Sequence, residues 1–450
     1  MAHALLGLGA FAVGGHAGGP AAPEAWQARL DSELAAIQAD PAHPLASLAV
    51  LAIRDGKVVY QRQFGHRWID NSDPARSKAA DEKTLYRIAS ISKLVTTIGV
   101  LRLVEDGVLD LDRDIGEYLG YAVRNPHFPA VPITLRMLLS HTSSLRDDAG
   151  YFWTEGNRIE DVIGPKNGVG VEFSKAWSSQ AAPGTWFQYA NLPWGVVGTV
   201  MEKATGERFD RLMKRLVLDP LGIRGGYHVA HLPPDEVAAI ATLYRKRGTD
   251  DAAPWDPKGP WLPQVDDFSK SPPQPRTGPK YVIGSNATLF GPHGNLHVSV
   301  ADLGRVMRML MDRGTLDGRR ILEAASVEAM LARQWRSDGG RNGLAAYGAS
   351  RQRFNAWGLG NQHFLDVSGP GFGDRLVEGG GFAGVGHLGD AYGLTAAFVF
   401  DPASREGLIY VTGGPGFNPE TARGAWSGFF RHEEQILTAL HRRAIQRKAD

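Results

Sequence analysis

Ile91, Leu94, Val95, Ile98, Leu101 and Val104 recur at steps of three and four, and Gly107 follows as a stop. This pattern predicts a helix that begins at Ser90. The same periodicity, with Gly and Pro punctuation, predicts helices over 25–37, 134–140, 192–205, 209–218, 300–313 and 425–447. Two apolar runs, 48–53 and 57–64, flank Asp55-Gly56 and read as a β-hairpin. A second strand pair is expected over 394–400 and 407–411, joined through Asp401 and Pro402.

Strands at both chain ends around a helical middle predict an α/β fold, an antiparallel sheet flanked by helices. Residues 26–125 and 285–450 would build that α/β domain. Residues 126–284 would form a mainly helical insertion, with the active site in the cleft between the two. The stretch 245–280 carries eight prolines together with Trp255 and Trp261, which excludes a helix or a central strand there. Loops of this length are commonly functional, and the two tryptophans suggest a lid over a site.

Composition narrows the function. The 450 residues contain 49 basic and 48 acidic side chains, a formal charge of +1, with no block of like charge. That excludes an electrostatic footprint for nucleic acid and points to a small-molecule or peptide-like substrate. With no Cys, disulfides, thiolate metal sites and a Cys nucleophile are all ruled out. No uncharged apolar run is long enough to span a membrane. Residues 1–25 have two readings. An apolar stretch from Ala4 to Val13 followed by small residues resembles a signal peptide, which places the protein in the periplasm or outside the cell. No Lys or Arg precedes the stretch, and a disordered Gly/Ala tail on a cytoplasmic protein fits the same residues.

Ser90 and Lys93 are three apart at a predicted helix start, so hydroxyl and amine share one face. Free N–H groups at the helix N-terminus favour the negative charge that develops in acyl transfer. Lysine is an awkward base. Lowering its pKa from ~10.4 by about three units costs roughly 4 kcal/mol. A helix dipole supplies about 0.3–1 kcal/mol, so burial must supply the rest. Alternatively Lys93 stays charged and activates a nearby phenol as the base. Read alone, the pair also fits a capping serine with a solvated lysine one turn on.

The surrounding residues decide between a catalytic and a capping pair, while the choice of Lys93 or a phenol as the base stays open. The segment from Tyr86 to Lys93 resembles the nucleophile segment of the penicillin-recognising serine hydrolases, which include class C β-lactamases, DD-peptidases, D-aminopeptidases and related esterases. Ile133 to Ser143 is similar to the stretch that follows it in that family, and Pro183 to Asn191 to the Tyr-x-Asn segment. Pro220-Leu221-Gly222-Ile223 matches a later turn, and Gly386-His387-Leu388-Gly389 the third element, Lys-Thr-Gly or His-x-Gly. Order and spacing agree over roughly residues 45 to 440.

The resemblance implies a β-lactamase/DD-peptidase-like fold and an acyl-enzyme at Ser90. Lys93 would activate Ser90, and Tyr189 would pass a proton to the leaving atom. Asn191, His387 and Gly389 would bind and orient the substrate. The backbone N–H groups of Ser90 and Asp390 would form the oxyanion hole. His387 stands where many β-lactamases carry Lys, which favours esterase, amidase or peptidase chemistry over antibiotic hydrolysis. A class C-like β-lactamase and a non-turnover penicillin-binding sensor are the alternatives. Ser144 replaces a common Gly, and His141 is expected to be structural. The pairs His228/His231 and His293/His297 lack a His-Glu-x-x-His helix, so no metal or other cofactor is expected. No Gly-x-Ser-x-Gly elbow occurs.

Overall fold

Strand β1 (Ser47–Arg54) reads Ser-Leu-Ala-Val-Leu-Ala-Ile-Arg and is buried along nearly its whole length. Its side chains divide by parity. Leu48, Val50 and Ala52 join one core with Leu30 and Leu34, and Ala49, Leu51 and Ile53 join the other. This apolar run is therefore a strand covered on both faces. Asp55 and Gly56 adopt φ of 53° and 72°, the left-handed pair that a two-residue hairpin needs, and β2 (Lys57–Trp68) returns alongside. The structure is a computed structural model that describes residues 24–166, 174–250, 252–347 and 351–446. Nearly all of the signal-like segment and the last predicted helical residue, Arg447, lie outside the described residues.

Seven further strands complete one antiparallel sheet. They are β3 (Lys78–Ala79), β4 (Trp335–Arg336), β5 (Ala356–Trp357), β6 (Gln362–Phe364), β7 (Gly384–Ala391), β8 (Leu394–Asp401) and β9 (Glu406–Thr412). The order β4-β5-β6-β7-β8-β9-β1-β2-β3 sets the first strand directly beside the last. One face is covered by α1 (Ala25–Gln38) and by α5 (Arg431–Leu440), through Leu30, Leu34, Ile436, Leu437 and Leu440. The other face meets α2 (Ile91–Glu105) and α4 (Val300–Met311).

Helix α2 is central to the molecule. Twelve of its fifteen residues are buried, including Lys93, Thr96 and Thr97, so it is enclosed rather than amphipathic. Truncating Leu94, which is fully buried there, to Ala costs about 2–5 kcal/mol. Helix α3 (Leu192–Thr205) packs against it, with Trp194 and Val197 in the shared core. The predicted hairpin, the second strand pair and this helix all form as expected.

Three expectations need correction. Residues 425–430 are not helical, because Glu434 draws the backbone N–H groups of Ala425 and Trp426 and the Ser427 hydroxyl onto its carboxylate. The chain therefore loops before α5. Within 245–280, Leu262–Val265 pairs with Leu243–Arg245 as an isolated two-stranded ribbon, where an edge strand tolerates Pro263. The two tryptophans do not cover the cavity: Trp261 packs on Tyr244 and Lys246, and Trp255 on Arg247. The predicted helix over 300–313 ends at Met311, and Arg313 turns left-handed at φ 51°.

Candidate active site

Ser90 is held at the mouth of α2 by its neighbours. Ala89 adopts φ 45°, a left-handed conformation costing about 1–2 kcal/mol in a residue with a Cβ. The surrounding structure enforces it: Ile88 N–H donates to Leu296 O, and Ser92 Oγ accepts from Leu296 N–H. From the other side, β7 presses close. A Cβ at Gly389 would meet Ile88 O at 2.7 Å, so only glycine lets the strand approach the nucleophile segment. Ser90 and Asp390, the two expected oxyanion donors, line one cavity of ≈ 770 Å³ with Tyr189, Asn191 and His387.

Lys93 Nζ lies 3.0 Å from Ser90 Oγ, 2.8 Å from Asn191 Oδ1 and 3.0 Å from His293 O. Burial pushes its pKa well below the ordinary lysine value, opposed by the charge of Asp147. A neutral amine has two N–H groups and one lone pair. Asn191 Oδ1 and His293 O can only accept, so they take the two N–H groups. The lone pair is left for the Ser90 hydroxyl.

Tyr189 is buried with its ring 4.9 Å from Lys93 Nζ. Burial raises its phenol pKa above the ordinary value, and the interaction with Ser90 offsets only part of the rise. The phenol thus keeps its proton. His141 packs tilted against this ring, with centroids 4.4 Å apart, and accepts from Ala190 N–H through Nδ1, the structural role expected of it. Its pKa is lowered by burial. Ser144 sits at φ 66°, where glycine would be unstrained, and its hydroxyl accepts from Asn125 Nδ2.

His387 is 2% exposed, and its Nδ1 lies 2.6 Å from Leu388 O. A carbonyl only accepts, so Nδ1 carries the proton and Nε2 offers a lone pair, with no partner among the described residues. Burial lowers its pKa to about 3, so the ring is neutral. It can accept from a substrate N–H or O–H but cannot donate to a carboxylate.

Sequence reasoning missed several contributors. Asp147 holds Asn191, accepting from its backbone N–H at 2.8 Å and its Nδ2 at 3.0 Å. It also accepts from Leu192 N–H at the start of α3 and from the Tyr347 hydroxyl. Its 44-residue separation from Asn191 leaves no local pattern. The His293 carbonyl is backbone, invisible to any side-chain motif. Arg351 ties Asp390 to the buried Glu433, which also accepts from the Tyr410 hydroxyl.

His228 and His231 do meet, around Asp210, with ligand atoms within 4.8 Å of one another. A guanidinium occupies that position: Arg208 donates to both Asp210 oxygens and lies 2.7 Å from His231 Nδ1. His228 Nε2 is taken by Arg276 N–H. His297 instead joins the buried pair of Arg87 and Asp266.

The profile of the beta-lactamase family matches residues 33–430. Esterase EstB of Burkholderia gladioli is 32% identical over 191 residues, 40% of this chain and 46% of that protein. Penicillin-binding protein 4 of Amycolatopsis lactamdurans is 27% identical over 314 residues, 68% of each chain. The match to penicillin-binding protein 4* of Bacillus subtilis spans 36% of that protein's length, so some curated relatives are covered for less than half.

The solved structures that share the fold include two at under 20% identity. The beta-lactamase/D-alanine carboxypeptidase from Yersinia pestis superimposes with a TM-score of 0.60 at 16% identity, over 93% of this chain and 98% of that one. The D-amino acid amidase from Ochrobactrum anthropi SV3 gives 0.57 at 18% identity, over 86% and 91%. The predicted antiparallel sheet with flanking helices is therefore the fold of this chain, and with a profile match from residue 33 to residue 430 the chain belongs to the beta-lactamase family.

Proposed function

We propose that this protein is a serine hydrolase of esterase or peptidase/amidase type that works through an acyl-enzyme at Ser90. One observation carries the reading: Lys93 Nζ has two acceptors for its two N–H groups and the Ser90 hydroxyl opposite its lone pair. Ser90 gives its proton to Lys93 as Oγ attacks the acyl carbon. The tetrahedral oxygen takes the N–H groups of Ser90 and Asp390. Tyr189, which holds its proton, passes it to the leaving atom and is reprotonated from Lys93. Water then enters by the same route and releases the acyl group. Asn191 keeps Lys93 aimed at Ser90, and the lone pair of His387 orients a substrate N–H or O–H.

The named relatives, an esterase, an amidase and penicillin-binding proteins, support this class. The test is labelling with a serine-reactive fluorophosphonate, then mapping of the modified peptide. Modification at Ser90 is expected, and modification elsewhere would overturn the reading.

A second reading, β-lactam hydrolysis, has one observation in its favour. Arg353 lines the cavity with no acidic partner within ion-pair distance among the described residues, so it could receive a substrate carboxylate that His387 cannot. Turnover of a chromogenic cephalosporin, with none of acyl esters or D-amino-acid amides, would make this the leading reading.

A further inference from the structure

Apart from Tyr347, which is 42% exposed and packs edge-on against Tyr189, the tyrosine, phenylalanine and tryptophan rings that line the cavity fall into two sets that differ in kind. Tyr189, Phe354 and Trp357 are buried and packed ring against ring. Tyr151, Phe152 and Tyr392 are 37%, 45% and 49% exposed, and all three line the cavity. A cation backs two of these rings: Arg276 lies over Phe152 at 5.6 Å and Arg87 over Tyr392 at 5.7 Å. Arg87 is neutralised by Asp266, at 2.6 Å. Arg276 has no acid within ion-pair distance among the described residues, and it faces the cavity.

Since Tyr189 serves the leaving atom in the proposed reaction, the leaving group occupies the buried set and the acyl group the exposed set. The chemistry of that wall selects among acyl groups. A saturated chain laid over Arg276 and the open rings would strip water from the guanidinium and return nothing to it. An aromatic ring returns the attraction of its π face and stacks offset on Phe152 or Tyr392.

We propose that Tyr151, Phe152, Tyr392 and Arg276 form an acyl subsite for a planar aromatic group, so that esters or amides of arylalkanoic acids are preferred. The inference rests on the hydrolase reading for its orientation of the substrate.

The experiment compares 4-nitrophenyl 3-phenylpropanoate with 4-nitrophenyl 3-cyclohexylpropanoate, which share chain length and leaving group. The cyclohexyl group is bulkier and more apolar, so a merely hydrophobic wall favours it. An aromatic subsite gives the phenyl ester a kcat/KM about fivefold higher or more, and Phe152→Leu or Arg276→Gln reduces that ratio. A ratio at or below one, or a preference that survives both substitutions, overturns the proposal. If neither ester turns over, calorimetric binding of 3-phenylpropanamide against 3-cyclohexylpropanamide to the Ser90→Ala variant reads the subsite directly. Equal or weaker binding of the phenyl compound then overturns it. Loss of turnover together with unlabelled Ser90 marks failure of the hydrolase reading, separately from the subsite.

Discussion

The Asp147 carboxylate accepts both the backbone N–H and the side-chain amide of Asn191, at 2.8 and 3.0 Å, which fixes the Asn191 oxygen toward Lys93. A carboxylate cannot donate, so the amide has one orientation. Asp147→Asn should lower kcat/KM by about 10- to 100-fold, since a loosened Asn191 misplaces the amine. The pH profile carries a second signature. The Asp147 charge favours the ammonium form of Lys93, so its removal lowers the Lys93 pKa further and moves the acid limb of kcat/KM to lower pH. An unshifted limb would mean that Asp147 acts only as a prop.

Lys93→Arg separates the two possible duties of the lysine. Arginine keeps the positive charge but cannot be deprotonated in a protein. If the neutral amine is the base, this variant falls by about 10²–10⁴ in kcat/KM, within the range of general-base catalysis. Activity within about tenfold of wild type would hand the role to Tyr189 as a phenolate. Steady-state kinetics on one ester, with the urea unfolding midpoint as the check on folding, decides it.

Tyr189→Phe should discriminate between leaving groups. Nitrophenolate departs without a proton, whereas an amine must receive one. The loss in kcat/KM is expected to be under about tenfold for a 4-nitrophenyl ester and about 10²–10⁴ for an amide with the same acyl group. Equal losses would remove Tyr189 from the leaving-group step.

The Arg87–Asp266 pair sits beneath the cavity with side chains 4% and 3% exposed. Burial alone would raise the Asp266 pKa, but Arg87 and His297 override it and hold the carboxyl well below its usual range. Arg87→Met strands that carboxylate and should cost about 3–5 kcal/mol, read from the urea midpoint at pH 7. A depressed carboxylate stabilises above its unfolded pKa and loses that contribution as pH falls. In the variant burial holds the Asp266 pKa up, so the stranded carboxyl takes up its proton above the ordinary carboxylate pKa. The gap between wild type and variant should therefore begin to narrow above about pH 4 and go on narrowing below it.

Much of this was legible from residue order. Strand β1 announces itself as an apolar run, Asp55-Gly56 as a turn, and α2 by its steps of three and four. Ser90, Lys93, Tyr189, Asn191 and His387 each stand in a recognisable local segment, and the structure sets Ser90, Tyr189, Asn191 and His387 on one cavity with Lys93 buried behind Ser90. What escaped depends on contact across the fold. Asp147 is defined only by where Asn191 arrives, and Lys93 is oriented by a backbone carbonyl that any residue at position 293 could present. The false helix over 425–430 had acceptable periodicity, but it lost to one carboxylate, Glu434, that satisfies three donors at once.

Strand β1 lies between β2 and β9, so one of its edges waits for the end of the chain. During synthesis about 350 residues separate the completion of β1 from that of β9. At roughly 5–20 residues per second the interval is on the order of tens of seconds. Through it, an eight-residue segment with six consecutive apolar residues presents an open edge, the kind that pairs with other chains. The protein thus spends its birth in its most aggregation-prone form, and a truncation anywhere before residue 406 leaves it there.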